Sequence, residues 1–200
     1  MKLLKQKAEI ISNPNSEKAK ELVELAGRTC YNSYHNIEEG SSDKFIEKII
    51  DMGHESVLEH FSFSVFLLTN RAIANQIVRH RIASYSQMST RYINFSKRVG
   101  FEFIIPNAPE GELDKIIPHL ENSCNLYREL IDSGCNPEVA RDVLPLCTAT
   151  RMVMTMNIRA WRNFLLLRMK KCDPQMMDLV KCIVKEIKAH KLDIFFKGVL

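Results

Sequence analysis

A run of basic and hydroxyl side chains in the middle of the chain, RHRIASYSQMSTRY at residues 79–92, has the chemistry of an anion-binding site. Arginine presents planar pairs of donors that suit phosphate, and hydroxyl groups add donors without adding charge. Asp and Glu are absent between Arg71 and Phe101, whereas solvated charged surfaces usually mix both signs. The run therefore predicts a site for a phosphorylated small molecule, with a solvated basic patch or a nucleic-acid contact surface as alternatives. Its cations are Arg79, His80, Arg81 and Arg91, and its hydroxyl residues are Ser84, Ser86, Ser89 and Thr90.

A second polar segment, HESVLEH at residues 54–60, has histidines at both ends. A zincin site needs two histidines at i and i+4 on a helix, whereas His54 and His60 are six positions apart and follow Gly53. The spacing argues against a metal site. We expect a loop or short turn whose polar groups, at the edge of a sheet, serve either a ligand or the capping of the strand and turn. Those groups are His54, Glu55, Ser56 and Glu59.

The sequence identifies no activated nucleophile. The six cysteines are far apart and include no C-x-x-C pair, so zinc ribbons and thioredoxin-like sites are not predicted. No base is recognisable beside Cys147, and a thiol without such a neighbour is expected to be inert. Ser89 lies two residues from Arg91, which favours a role in binding phosphate over nucleophilic attack.

Length and composition predict one globular domain covering residues 1–200. Apolar residues make up 46% and charged residues 26% of the chain, which excludes disordered and fibrous classes. The net charge of +4 suits a small anionic ligand better than nucleic acid, whose binders concentrate a stronger basic excess on one face. Because no export signal and no run of about 18 apolar residues is found, we expect reduced thiols, a cytoplasmic location and no membrane association.

The elements that position these side chains follow from hydrophobic spacing. Alternation at 61–69 predicts a strand with one buried face, and helical spacing at 71–82 puts Gln76, Arg79 and His80 on one side of a helix. Helices are also predicted from Ser16 to near Cys30 and from Ser41 or Ser42 to Gly53, and a short strand at 101–106.

The second half of the chain predicts a long helix over 113–131, a restart at Asn136 and Pro137, and a strand at 148–157. Asn157 could cap a helix to about Met169, on which Arg159, Asn163 and Leu167 align at i, i+4 and i+8. A last helix opens at Asp173. Strands separated unevenly by long helices predict an α+β fold, with a mixed or antiparallel sheet covered by helices.

Several segments, in order, resemble the flavin-dependent thymidylate synthases. The central match is Arg79-His80-Arg81 followed by Ser89, with Arg91 and Tyr92 behind it. Further blocks are the upstream GHES with Glu59 and His60, Gln76, EVARDVLPL, the strand containing Arg151, and the segment from Asn157 to Arg168. The resemblance covers about residues 20 to 185, and five ordered blocks are far more specific than a lone RHR.

The resemblance implies an α+β homotetramer with FAD at the subunit interfaces. It implies that FAD contacts Cys30, His54, Ser56, Glu59, Arg79, His80, Arg81, Asn157, Arg159, Asn163 and Leu167. His54 would lie beside the flavin ring and the folate.

For dUMP the resemblance implies binding by Gln76, Arg79, Gln87, Ser89, Arg91, Arg151 and Arg168. The implied reaction converts dUMP to dTMP with carbon from 5,10-methylenetetrahydrofolate and hydride carried by FAD from NADPH, and it needs no cysteine nucleophile. Arg168 and Gln76 are the expected catalytic residues, because donors aimed at the uracil oxygens stabilise the charge that builds on the ring. Arg91, Ser89 and Arg151 would hold the phosphate and orient the ring.

Three positions depart from the family pattern. Ser86 and Gln87 stand where the family often has Asn and Glu, and Cys172 falls near a position where His often serves the flavin. Two rival hypotheses follow. One is a nucleotide-binding regulatory protein that has lost catalysis, and the other is a nucleic-acid-binding module whose basic run follows a phosphate backbone.

Overall fold

The computed structural model describes residues 1–109, 111–170 and 172–200 and has the predicted α+β fold. The helices are α1 (Ser16–Cys30), α2 (Ser41–Asp51), α3 (Arg71–Ile77), α4 (Leu113–Asp132), α5 (Pro137–Ala140), α6 (Ile158–Arg168) and α7 (Pro174–Ala189). The strands are β1 (Lys2–Leu4), β2 (Lys7–Ile10), β3 (Ser62–Asn70), β4 (Ser84–Gln87), β5 (Glu102–Ile104) and β6 (Ala149–Asn157). None of the helices in the described part of the chain is both long and apolar enough to cross a bilayer.

The strands form a parallel pair, β1 with β5, and a four-stranded sheet in the order β2-β3-β6-β4. The two central strands of the larger sheet are those with the clearest alternation in the sequence. In β3 the side chains of Phe63 and Val65 are buried, and in β6 those of Met154 and Met156 are buried. The first half of β3 and most of β6 therefore bury one face, as the period of two predicts, whereas the end of β3, from Leu67 to Asn70, is buried on both faces. The methionines fill the core, which is the expected use of that side chain.

The chain folds into two compact units. The first comprises Met1–Lys7, Leu67–Arg79 and Ser86–Met152, and the second comprises Ala8–Phe66, His80–Tyr85 and Val153–Leu200. One domain over residues 1–200 stays a prediction.

An aromatic cluster holds the first unit together. Tyr127 of α4 meets Phe95 and Phe101 edge-to-face, at ring-centroid distances of 5.9 and 5.4 Å. Its hydroxyl also accepts a hydrogen bond from the backbone N–H of Phe95 at 3.2 Å. The single residue thus supplies apolar burial and satisfies a buried backbone donor.

Trp161 has the corresponding role in the second unit. Its ring stacks on Phe63 with centroids 5.1 Å apart and meets Phe164 edge-to-face at 5.8 Å. The indole N–H donates to the carbonyl oxygen of Phe63 at 3.3 Å. This packing fixes α6 against β3, and α6 carries several of the predicted site residues.

The predicted helix over 71–82 is wrong beyond Ile77, where α3 ends. The last helical hydrogen bond runs from the N–H of Val78 to the carbonyl of Ala74 at 3.1 Å. Ile82 has a φ of +63°, a left-handed conformation that a helix cannot contain and that a β-branched residue rarely adopts. The chain turns there and enters β4, a strand that the sequence did not predict.

The other helix and strand boundaries lie closer to the predicted ones. Asn15, one residue before Ser16, is the N-cap of α1, because its side-chain oxygen accepts from the N–H of Lys18 at 3.0 Å. β1 and β2 were not predicted. The long helix, the strand at 101–106, the strand at 148–157 and the capping of α6 by Asn157 are confirmed.

Candidate functional site

The second unit contains a cavity of about 1140 Å³. Its lining comes from the end of α1, the stretch between Asn36 and Val57, and α6. Four residues that the resemblance assigns to the flavin share this lining: Cys30, His54, Ser56 and Arg159. All four are exposed, so their polar atoms are available to a ligand.

Two carboxylates of the 54–60 segment fix the segment against α6. Glu59 pairs with Arg159 at 2.6 Å, and Glu55 pairs with Arg162 at 2.9 Å. Arg162 is buried and also donates to the carbonyl oxygens of Phe195, at 2.7 Å, and Lys197, at 3.0 Å. The segment forms a 3-10 helix, Glu55–His60, which agrees with the short turn that the sequence predicts. The glutamates act as anchors for arginines, a role that the sequence did not reveal.

A buried carboxylate shapes the α1 side of the cavity. Glu24 is 3% exposed and accepts hydrogen bonds from Arg28 at 2.9 Å and from Ser41 at 2.8 Å. Arg28 in turn lies over the ring of Phe45, 4.9 Å from its centroid, and donates to the carbonyl of Asn36 at 3.3 Å. Both Arg28 and Phe45 line the cavity. This group was not predicted, although a glutamate and an arginine at i and i+4 on a helix are a detectable signal.

His80 and Arg168 form a close pair in the second unit. The Nε–H of Arg168 donates to Nε2 of His80 at 2.8 Å, so this imidazole nitrogen carries no proton. Burial, and secondly the charge of Arg168, lower the pKa of His80. The ring of His80 meets that of Phe164 edge-to-face at 4.7 Å. The imidazole is therefore held as a neutral acceptor.

The other residues predicted for FAD occupy different surroundings. Asn157 caps α6, its side-chain oxygen accepting from the N–H of Ala160 at 2.8 Å. Asn163 and Leu167 lie on the exposed face of α6 that also carries Arg159, in agreement with the predicted spacing. Arg79 and Arg81 are exposed. Among the described residues, the cavity lining includes none of Asn157, Asn163, Leu167, Arg79 and Arg81.

A smaller basic pocket, of about 340 Å³, lies in the first unit. Arg71, Thr90 and Arg141 line it, and Arg141 donates to the hydroxyl of Thr90 at 3.3 Å. Burial and the charge of Arg141 both lower the pKa of Arg71. Two guanidinium groups close enough to repel one another are expected to attract an anion. Thr90 belongs to the predicted anion-binding run, whereas Arg71 and Arg141 were not predicted as site residues.

Carboxylates lie closer to the predicted dUMP residues than the sequence suggests. Arg91 pairs with Glu138 at 3.2 Å, and Arg151 pairs with Glu102 at 2.6 Å. Both glutamates are remote in sequence, so the absence of acidic residues from the basic run does not describe its surroundings in space. The Arg91–Glu138 pair is about half-exposed, and such pairs contribute only about 0–1 kcal/mol, so a ligand can replace the carboxylate.

The remaining dUMP candidates are neutral. The side-chain amide of Gln87 donates to the hydroxyl of Thr150 at 3.3 Å, and Ser89 accepts from the backbone N–H of Arg91 at 3.2 Å. Gln76 lies half-buried on α3. Residues 80–85 belong to the second unit, and residues 79 and 86–92 belong to the first.

All six cysteines are free thiols. Burial raises the pKa of Cys147, and burial likewise raises the pKa of Cys124 and of Cys182. These groups are poor nucleophiles at neutral pH, since the thiolate is the reactive form. Within residues 1–109, 111–170 and 172–200, no three His, Cys, Asp or Glu side chains are grouped so that they could hold a metal ion.

Comparison with solved structures identifies a protein of the same fold. The crystal structure of a UMP/dUMP methylase, PolB from Streptomyces cacaoi, bound with 5-Br dUMP, superposes with a TM-score of 0.81. The match covers 99% of this chain and 96% of that one at 23% sequence identity. At this identity the likeness establishes the architecture.

Comparison of sequences gives information beyond the fold. Flavin-dependent thymidylate synthases from Geobacter sulfurreducens, Pyrococcus furiosus and Mycobacterium sp. (strain KMS) are 41%, 36% and 32% identical to this chain. The alignments cover 73%, 74% and 87% of this chain and 67%, 63% and 78% of those proteins, respectively. The family model described as "Thymidylate synthase complementing protein" matches residues 11–190. The chain therefore belongs to the family of enzymes known as flavin-dependent thymidylate synthases.

Proposed function

We propose that this protein makes dTMP from dUMP, with 5,10-methylenetetrahydrofolate as the carbon donor and NADPH as the source of hydride. FAD, when bound, supplies the redox chemistry by accepting hydride from NADPH and passing it on. In this proposal the active enzyme is a homotetramer with sites at subunit interfaces and works in the cytoplasm.

The convergence of Cys30, His54, Ser56 and Arg159 on one cavity is the observation that carries the proposal. These residues come from three separate segments of the chain, and the family resemblance assigns all four to the flavin. Cavities that bind drug-sized ligands measure about 300–1,000 Å³, so 1140 Å³ leaves room for a dinucleotide.

The lining suits two parts of FAD. Phe45, Ile49 and Val57 offer apolar surface for a flat ring system, and Arg28 and Arg159 offer cations for a pyrophosphate. Arg159 is held in place by Glu59 and Arg28 by Glu24. Cations that are oriented in advance bind an anion with a smaller entropic cost.

We assign the phosphate of dUMP to Arg71, Arg141 and Thr90, in addition to the residues implied by the resemblance. This basic pocket offers two guanidinium groups and a hydroxyl; the one carboxylate among its described lining residues, Asp142, lies 3.9 Å from Arg141 and is mostly exposed. Arg91 and Ser89 also stay in the proposal, because a phosphate can displace Glu138 from the half-exposed ion pair. Arg151 is the weaker candidate, since its pair with Glu102 is shorter and less exposed.

The chemical step requires negative charge to build on the pyrimidine ring. We assign its stabilisation to Arg168 and Gln76, whose donors would face the ring oxygens. No thiol nucleophile takes part in this proposal. Its support is that burial raises the pKa of Cys147 and keeps this thiol protonated.

One preparation tests the proposal. Protein purified with added FAD should keep a yellow chromophore through gel filtration and should oxidise NADPH faster when dUMP is present. A colourless protein that oxidises NADPH at the same rate with and without dUMP would be incompatible with this function.

The non-catalytic alternative keeps nucleotide binding but lacks turnover. The reason for considering this alternative is that the chain departs from the family pattern at Ser86, Gln87 and Cys172. Gln87 is bonded to Thr150, so this amide already has a partner inside the protein. Growth of a thymidine-requiring bacterial strain carrying this gene, without added thymidine, would reject the alternative.

A further inference from the structure

One side of the 1140 Å³ cavity is the segment that connects α1 to α2, residues 31–40, called here the 31–40 wall. None of the residues of the wall is buried, and all except Ser33 are exposed. Its regular structure is one short 3-10 helix, Tyr34–Asn36. Because no buried apolar side chain anchors the wall, its position depends on hydrogen bonds to residues outside it. The wall residues that line the cavity are Tyr31, Ser33, Asn36, Glu38, Glu39 and Gly40.

The side chains that hold the wall meet at one buried carboxylate, that of Glu24. Nη2 of Arg28 donates to this carboxylate at 2.9 Å and to the carbonyl oxygen of Asn36 at 3.3 Å. The hydroxyl of Ser41 lies 2.8 Å from each carboxylate oxygen of Glu24 and accepts the backbone N–H of Glu38 at 3.2 Å. Two points of the wall are therefore tied to Glu24, each through one intermediate side chain.

We propose that Glu24 is a positioning residue for the flavin: its carboxylate fixes Arg28 and the 31–40 wall in the arrangement that receives FAD. The inference rests on the proposed function, which assigns FAD to this cavity. Glu24 is not among the described residues that line the cavity, so it acts through Arg28 and Ser41, which are.

The physical reason is the burial of the carboxylate. Glu24 is 3% exposed, so water cannot replace a donor that leaves it, and a buried charge without its partner is strongly disfavoured. An exposed glutamate would exchange the same donors for water at little cost. The buried carboxylate thus keeps Arg28 and Ser41 in place before any ligand arrives, which lowers the entropic cost of binding.

Arg28 can serve the carboxylate and an anion together. Its hydrogen bonds to the described residues use Nε and Nη2 and leave Nη1 for another acceptor. Its side chain is 19% exposed and lines the cavity. A guanidinium that is held on one edge and open on another suits a phosphate group of the cofactor.

Glu24→Gln keeps the size of the side chain and removes its charge. We expect the affinity for FAD, measured by flavin fluorescence titration, to fall about 10- to 100-fold in E24Q, because charge-assisted hydrogen bonds are lost. Glu21→Gln, at an exposed glutamate of the same helix, is the matched control and should bind FAD like the unchanged protein. FAD affinity in E24Q equal to that of E21Q would overturn the proposal.

A double-mutant cycle with Arg28→Met tests whether Glu24 acts through Arg28. E24Q should weaken FAD binding less in the R28M background than in the unchanged protein, because one of the two side chains through which Glu24 acts is then absent. Equal losses in the two backgrounds would contradict the proposed role.

The order of the wall can be measured without flavin. Glutamyl endopeptidase cleaves after glutamate, and Glu38 and Glu39 lie in the wall, so the rate of cleavage there reports how often the wall opens. Cleavage after these residues, located by mass spectrometry, should be about 2- to 10-fold faster in E24Q than in E21Q at a temperature at which both are folded. Saturating FAD should slow it. A role of Glu24 in overall stability alone predicts equal rates, and equal rates would overturn the proposal.

A second pair of variants decides if E24Q does not fold. Ser41→Ala removes one tie and leaves the pair of Glu24 with Arg28, and Ser42→Ala is the control at the neighbouring position of α2. S41A should show faster cleavage in the wall and weaker FAD binding than S42A. The same behaviour in both variants would refute the role of the carboxylate in holding the wall.

These outcomes are distinct from failure of the proposed function. If the unchanged protein binds FAD but forms no dTMP, the proposed reaction is wrong, while the FAD titrations and the cleavage rates still test Glu24. If the unchanged protein does not bind FAD, both proposals fail together. Normal FAD binding in E24Q contradicts the positioning role alone.

Discussion

The guanidinium of Arg162 lies 2.9 Å from the carboxylate of Glu55, a residue 107 positions earlier in the chain. Arg162 is 5% exposed, and its other partners are the carbonyls of Phe195 and Lys197 near the C-terminus. One buried cation therefore joins the 54–60 segment, α6 and the end of the chain. The segment carrying His54 and Ser56 depends on it for its position.

Replacing Arg162 should destabilise the protein far more than replacing Arg159. Arg162→Met leaves Glu55 and two carbonyls without a donor, and breaking a buried pair costs about 3–5 kcal/mol. Because Glu55 is 29% exposed, we expect the lower end of that range. Arg159→Met breaks an exposed pair and should cost about 1 kcal/mol or less. Urea denaturation of both variants measures the difference, and equal losses would show that the buried network does not hold the segment.

Gly27→Ala should perturb the cavity without changing any polar group. A Cβ built on Gly27 would lie 2.3 Å from the Cζ atom of Phe45, so the ring must move. Phe45 lines the cavity and supports Arg28, and its displacement should weaken FAD binding about tenfold or more, equivalent to about 1.4 kcal/mol. Flavin fluorescence titration measures this affinity. Ala26→Gly, in the same turn of α1, is the control for altered helix propensity.

Arg141→Ala should weaken binding of dUMP but leave binding of deoxyuridine unchanged. A charge-assisted contact to phosphate contributes about 1.5–3 kcal/mol, which corresponds to about 10- to 100-fold in affinity. Arg98→Ala, at an exposed arginine of the same unit, controls for loss of net charge. If the substitution weakens binding of dUMP and of deoxyuridine equally, the phosphate does not bind in the pocket lined by Arg71, Thr90 and Arg141.

Cys147→Ala should leave dTMP formation largely intact. Burial raises the pKa of this thiol, and the proposed reaction assigns it no role. Cys124→Ala, at a thiol with 2% exposure, is the matched variant for effects of truncation on stability. Steady-state turnover of both proteins gives the comparison. Loss of activity in C147A alone, with its fold intact by circular dichroism, would indicate thiol catalysis.

The parts of the fold that depend on local pattern were predictable. The first half of β3 and most of β6 alternate between buried and less buried residues, and α1, α2, α4 and α7 carry clear apolar stripes. The end of α3 was not predictable from spacing, because Ile77 and Val78 continue the helical pattern and neither Gly nor Pro marks the stop. The helix ends at Ile77, and the left-handed conformation of Ile82, farther along the turn, has no signal in the sequence because isoleucine rarely adopts it.

The residues of the candidate site likewise divide into those that a local sequence pattern predicts and those that it does not. Residues that share short motifs, such as His54 and Ser56, could be grouped from the sequence. The pairings of Arg91 with Glu138 and of Arg151 with Glu102 join positions about fifty residues apart in the chain, and no local pattern encodes them. Arg141 belongs to the segment EVARDVLPL, which resembles the family, yet only its proximity to Arg71 and Thr90 marks it as a site residue.

Product analysis tests the proposed reaction most directly. Purified protein supplied with FAD, NADPH, 5,10-methylenetetrahydrofolate and dUMP should form dTMP, detected by mass spectrometry, in proportion to the NADPH consumed. Leaving out any one of the three substrates should abolish the product. If the protein binds flavin and dUMP but forms no dTMP under these conditions, the assignment as a thymidylate-forming enzyme is wrong.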